Sequence, residues 1–249
     1  MKHWAFFVCA ALGSVPVMQE DRPVTNREPR EQSPDPAAKP REPDWAALGR
    51  YRAENARVGP PSSAEKRVVF FGDSITEAWV STAPAFFEGR PYLARGIGGQ
   101  TTAQMLVRFR QDVIALRPQA VVILAGTNDI AGNTGPYRQE DTFDHLKSMV
   151  ELARAHGIHV VLASILPARD YPWSPGREPA RKIIALNTLL RAYAEKSGLV
   201  YLDYHAAMAD GDGGLKASLG EDGVHPNRAG YDLMGPLAER ALQRALAAK

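Results

Sequence analysis

Apolar residues along this chain fall into two periods that take turns. Short unbroken runs rich in β-branched and aromatic residues, such as Val68-Val69-Phe70-Phe71 and Ala120 to Ala125, read as strands buried on both faces. His159 to Leu166 and Leu199 to Tyr204 repeat the pattern, and Tyr92-Leu93-Ala94-Arg95 is a weaker version of it. Between these runs, apolar residues recur every three or four positions, the spacing of one helical face. Thr101 to Leu116 carries Met105, Leu106, Phe109, Val113 and Ile114; Thr142 to His156 is closed by Gly157; Pro179 to Lys196 is followed by Gly198. Pro226 opens a last helix with the stripe Tyr231, Met234, Leu237 and Leu242. Strands alternating with helices over such connections must run parallel, and a parallel sheet is covered on both faces. The expected fold class is therefore α/β, a three-layer α/β/α domain around five parallel strands.

The chain ahead of this domain has a different character. Met1-Lys2-His3 followed by the apolar run Trp4 to Leu12 resembles a secretory signal peptide, taken here as 1–18, and points to a secreted or periplasmic protein. The cleavage site is ill defined, and Cys9 falls too early for a lipoprotein motif; a misassigned start, with a cytoplasmic protein, or an uncleaved anchor is the alternative. Residues 19–43 hold six prolines, alternating charges and almost nothing apolar, a composition that cannot bury enough surface to offset ordering. They are expected to form a disordered spacer. Asp44 then caps a short helical pattern with Trp45, Leu48, Tyr51 and Arg52 on one face, the first ordered piece of a domain spanning 44–249.

Charge and cysteine content exclude more than they suggest. A net charge of +2 is no footprint for nucleic acid, and the single cysteine, Cys9, rules out a disulfide framework or a thiolate metal site. Histidines other than His225 have no partner at a useful spacing, so neither metal nor cofactor is expected.

Candidate chemistry gathers where strands end. Gly72-Asp73-Ser74-Ile75 breaks the first strand and mounts a serine at its carboxyl end, where open α/β sheets place their ligands. Gly96-Ile97-Gly98-Gly99 follows the second strand, and Gly126-Thr127-Asn128-Asp129 the third. Asp222-Gly223-Val224-His225-Pro226 precedes the last helix, with a carboxylate three residues from an imidazole that it can reach across a tight turn. The glycine turn is not a dinucleotide loop, because Thr101 stands where Gly-x-Gly-x-x-Gly needs its last glycine, and no phosphate loop is present. Thr76 likewise breaks the Gly-x-Ser-x-Gly elbow of the α/β-hydrolases.

These four blocks, in this order, resemble those of the GDSL/SGNH hydrolase superfamily, in the branch of the platelet-activating-factor acetylhydrolase subunits and lysophospholipase L1-like esterases. The resemblance runs from Arg67 to the carboxyl terminus. It departs at Ala94, where relatives often carry a scaffold asparagine. It implies a flavodoxin-like sheet in the order 2-1-3-4-5, which brings the loops after strands one and three together at the switch point. It implies Ser74 as nucleophile, His225 as base, Asp222 as its orienting carboxylate, and an oxyanion hole from the amides of Ser74 and Gly99 with the Asn128 side chain. Asp73 and Asp129 are assigned to bracing the turns. The implied activity is hydrolysis of short acyl esters, acetyl above all, of carbohydrates, lipids or small molecules. An acyltransferase using the same site, or a carbohydrate-binding protein with a silent one, is the alternative. Trp173, in a long aromatic segment after the fourth strand, is a candidate substrate wall if it does not simply pack under its own loop.

Overall fold

A computed structural model of the protein describes residues 44–247. The expected signal segment over 1–18 and spacer over 19–43 lie outside the described residues. The chain enters through turns over 44–51 and a short helix α1 (Arg52–Val58). The helix expected to be capped by Asp44 is therefore capped seven residues later, at Tyr51. The Asp44 carboxylate does act as a cap, accepting from the amides of Leu48 and Gly49, but it closes a turn, and Trp45 stays in solvent.

The sheet strands are β1 (Val68–Gly72), β2 (Tyr92–Gly96), β3 (Ala120–Leu124), β4 (His159–Ala163) and β5 (Val200–Leu202). All pairs are parallel and the order is β2-β1-β3-β4-β5, as expected. The helices after α1 are α2 (Ser74–Thr82), α3 (Thr102–Asp112), α4 (Thr127–Ala131), α5 (Gln139–Ala155), α6 (Pro179–Ser197), α7 (Tyr204–Met208) and α8 (Arg228–Ala247). Three were not legible in the apolar pattern: α2, whose buried face is only Ile75, Thr76 and Trp79, and the five-residue α4 and α7.

Alternation along β1 builds the two cores. Val69 and Phe71 face α3, α5 and α6, packing with Met105, Phe109, Leu146, Met149 and Leu186. Val68 and Phe70 face the other way, onto Ile75 and Trp79 of α2 and Tyr231, Met234 and Ala238 of α8. The chain leaves β1 in one direction for β2 and returns past it to β3. Right-handed crossovers then force α2 and α3 onto opposite faces, which opens a crevice at the carboxyl ends of β1 and β3. Trp79 holds α2 in place, stacked on Phe86 at 4.6 Å and on Tyr231 of α8 at 5.4 Å, while the Tyr231 hydroxyl donates to the carbonyl of Ile75.

Candidate active site

Ser74 is the first residue of α2. Asp73 caps that helix from inside the protein, its carboxylate accepting the Ile75 amide at 3.0 Å. A helix starting so abruptly needs room beside β2, and Gly96 provides it: a Cβ there would lie 2.2 Å from the amide nitrogen of Glu77. The first amides of a helix have no partner within it, so the Ser74 N–H is available beside its own hydroxyl.

The block before α8 brings the other groups. One oxygen of Asp222 accepts the backbone amides of Val224 (2.9 Å) and His225 (2.7 Å), which closes a tight turn. The other oxygen lies 2.6 Å from His225 Nδ1. A spacing of three does both jobs, because the turn that satisfies the backbone also faces the imidazole toward its own carboxylate. With Nδ1–H donated to Asp222, Nε2 is the accepting nitrogen, and it lies 2.9 Å from Ser74 Oγ. Burial would raise the Asp222 carboxyl, but the His225 side chain and the two amides outweigh it and hold the group below the ordinary carboxylate range.

The second and third blocks meet beside the serine. A Cβ on Gly98 would lie 3.8 Å from that of Ser74. The Gly98 amide is taken by the Glu77 carboxylate at 2.8 Å and that of Gln100 by the Ile97 carbonyl. The amide of Gly99 finds no acceptor among the described residues, and this glycine turns the loop at φ +74°, where a side chain would be strained. Asn128 is buried against the same loop. Its amide donates to the Gln100 carbonyl at 2.9 Å, which leaves one N–H of the pair uncommitted. Asp129 braces the loop from behind, accepting the amide and hydroxyl of Thr102. Burial pushes its carboxyl up against those hydrogen bonds.

Every residue singled out in the sequence therefore lies at one end of the sheet. Trp173 is half-exposed, stacked on Tyr171 at 5.0 Å and with its ring 5.8 Å from that of His225. Three neighbours gave no sign in the sequence. Glu77, which pins Gly98, follows Ser74 by one helical turn. Asn133 donates to the Gly99 carbonyl (2.9 Å) and to Asn128 Oδ1 (3.0 Å). Arg108, wholly buried, donates to the carbonyls of Gly72 and Arg95 and to the side chains of Gln100 and Asp112. Its partner Asp112 stands four residues on, a spacing common on solvated helix faces. Among the described residues, no group of three or more His, Cys, Asp and Glu side chains is placed to hold a metal ion.

Comparison with known proteins bears on the family and the fold. The GDSL-like lipase/acylhydrolase family model matches residues 70–233, which takes in all four blocks. The crystal structure of an acylhydrolase from Bacteroides fragilis NCTC 9343 is 49% identical and superposes with a TM-score of 0.81, covering 82% of this chain and all of that one. A GDSL-like lipase from Bacteroides thetaiotaomicron VPI-5482 is 46% identical with a TM-score of 0.80, over 81% of this chain and all of its own. A lipoprotein of uncharacterised function from Bacillus subtilis (strain 168), YqeF, is 34% identical over 117 residues. The chain spans about half the length of that curated relative, 48%, with 40% of its own residues. The chain belongs to the GDSL-like lipase/acylhydrolase family.

Proposed function

We propose that the protein hydrolyses short acyl esters, acetyl esters first, of polar alcohols such as carbohydrates, through Ser74, His225 and Asp222. The observation that carries the reading is the continuous chain Ser74 Oγ–His225 Nε2 (2.9 Å) and His225 Nδ1–Asp222 Oδ2 (2.6 Å). In the first half-reaction Oγ attacks the ester carbon as its proton passes to Nε2 and the carbonyl electrons move onto oxygen. The amides of Ser74 and Gly99 and the free N–H of Asn128 receive that oxyanion. Collapse expels the alcohol, which takes the proton from His225 and leaves an acylated Ser74. Water then attacks, His225 accepts its proton, and collapse releases the acid and restores the serine. Asp222, held ionised, stabilises the imidazolium in both halves.

What favours a short acyl group is the polarity around the serine. The Glu77 carboxylate and the glycine loop that it pins lie beside it, and a long alkyl chain would have to lie against them. We also propose that the protein is exported. The basic start and apolar run of Trp4 to Leu12 support this, as does the Bacillus relative's name as a lipoprotein.

The test is a p-nitrophenyl ester series from acetate to dodecanoate on the full chain, with acetylated sugars in parallel and a fluorophosphonate probe. Turnover should be highest on acetate and butyrate, the probe should label Ser74, and Ser74→Ala should remove labelling and hydrolysis with the fold intact. Labelling elsewhere, or an active alanine variant, overturns the assignment of Ser74; a preference for the longest chains overturns the acyl class.

A further inference from the structure

Asn128 is the side-chain donor assigned to the oxyanion above, and the structure supplies it with a support that none of the four blocks contains. Asn133 follows α4, and Trp173 lies in the loop between β4 and α6. The indole N–H of Trp173 donates to Asn133 Oδ1 at 3.1 Å. Asn133 Nδ2 then donates to Asn128 Oδ1 and to the Gly99 carbonyl. An indole nitrogen can only donate, so it fixes which end of the Asn133 amide is oxygen. With the oxygen of Asn133 on Trp173, its nitrogen must face Asn128, and Asn128 must present its own oxygen there. The Asn128 nitrogen is thereby turned to the Gln100 carbonyl and the crevice. A reversed Asn128 would set an acceptor against both the Gln100 carbonyl and the developing oxyanion.

An exposed asparagine ordinarily samples several rotamers, but this one has its oxygen and both N–H groups engaged. Its own backbone amide also bonds the Asn128 carbonyl at 3.1 Å. Trp173 is anchored in turn, stacked on the buried Tyr171, whose hydroxyl accepts from Thr127 beside Asn128. Ser174 ties the same loop to the carbonyl of Ala131. The β4–α6 loop is thus fastened to α4 at Thr127 and Ala131, and to Asn133 just beyond it.

We infer that Asn133 is a positioning residue for the oxyanion donor and that the Trp173 indole N–H sets its sense. Together they hold the Asn128 amide N–H toward the reacting carbonyl oxygen. This rests on the role of Asn128 in the proposed function. It also gives Trp173 a task besides walling the crevice: the ring lies against His225 while its nitrogen steers the opposite side of the site.

The experiment is a mutant cycle on the full chain with p-nitrophenyl acetate, alongside thermal melts. Asn133→Ala should lower kcat roughly 10- to 100-fold with KM nearly unchanged, less than the roughly 100- to 1,000-fold expected for Asn128→Ala, which deletes the donor itself. Asn133→Asp should be worse than Asn133→Ala, because it sets a carboxylate against two acceptors. Trp173→Phe, which keeps the ring and loses the N–H, should cost about two- to five-fold in kcat, since it removes one bond of the relay. In the Asn128→Ala background, Asn133→Ala should have little further effect. Full additivity there would show that Asn133 acts on substrate directly, and would overturn the inference. So would a kcat for Asn133→Ala within two-fold of wild type, or a loss seen only in the melting temperature. If wild type itself neither hydrolyses the ester nor takes up the probe at Ser74, it is the proposed function that fails.

Discussion

Asp73 is a carboxylic acid with almost no access to water, one residue from the proposed nucleophile. Burial pushes its carboxyl up to about 6 from an ordinary 3.8; the Ile75 amide and the charge of His225 pull it down, and Asp129 pushes it further up. Because its folded value lies above its unfolded one, the fold favours the neutral acid. The stability it contributes is complete below about pH 4 and is lost as pH rises through 6. Asp73→Asn keeps an oxygen for the Ile75 amide and cannot ionise. The variant should match wild type at pH 4 and exceed it at pH 8, by at most about 3 kcal/mol from a shift of this size. Chemical denaturation at pH 4, 5, 6, 7 and 8 checks this, and a difference between the two proteins that stays flat over that range would refute the shift. In sequence, Asp73 was assigned to bracing its turn beside the family resemblance, while the helix it caps was not legible. Nor was the burial of Asp73, since that depends on Gly96 letting β2 close over it.

At the scale of elements, α3 does more than cover the sheet. Arg108 reaches from its buried face to the last carbonyl of β1, to a carbonyl of β2 and to Gln100 in the oxyanion loop, with Asp112 as its counter-charge. Two strand ends and one loop are thus located by a single guanidinium. Breaking a buried pair from one side strands the other charge, which costs about 3–5 kcal/mol. Arg108→Met should therefore lower the melting temperature by roughly 10 °C for a domain of this size. Asp112→Leu added to Arg108→Met should recover a large part of that, and a double variant no better than the single one would show that the carbonyl contacts matter more than the pair. The regular elements were legible because their periods are long or their runs dense. The buried Arg108–Asp112 pair was not, as the same spacing serves equally on a solvated helix. α2 was missed for a related reason, its apolar face being short and interrupted by Thr76 and Glu77.

Across the whole molecule, the legible part of the site was the part written in contiguous blocks. Ser74, Gly99, Asn128, Asp222 and His225 each sit beside a strand end or helix start that announces itself, and topology alone brings them together. Asn133 and Trp173 meet only because two separate loops fold across the same crevice, which no local pattern encodes. The segment over 44–58 joins the site in a similar way. The Tyr51 hydroxyl bonds the Gly96 carbonyl, Gln100 donates to the Ala46 carbonyl at 2.9 Å, and Gln111 to that of Leu48 at 2.8 Å. Tyr51 is buried, so its loss removes apolar contact as well as a hydrogen bond at the foot of the oxyanion loop. A chain beginning at Pro43, shorn of the proline-rich segment, should keep both turnover and melting temperature. A chain beginning at Arg52 should melt roughly 5–10 °C lower, from about 2–3 kcal/mol of lost Tyr51 burial and hydrogen bonding. It should also lose several-fold in kcat, because Gln100, next to Gly99, gives up its anchor. Turnover per folded molecule, measured well below the melting transition, separates the two effects: if the Arg52 chain matches wild type there, the segment stabilises the domain without holding the loop.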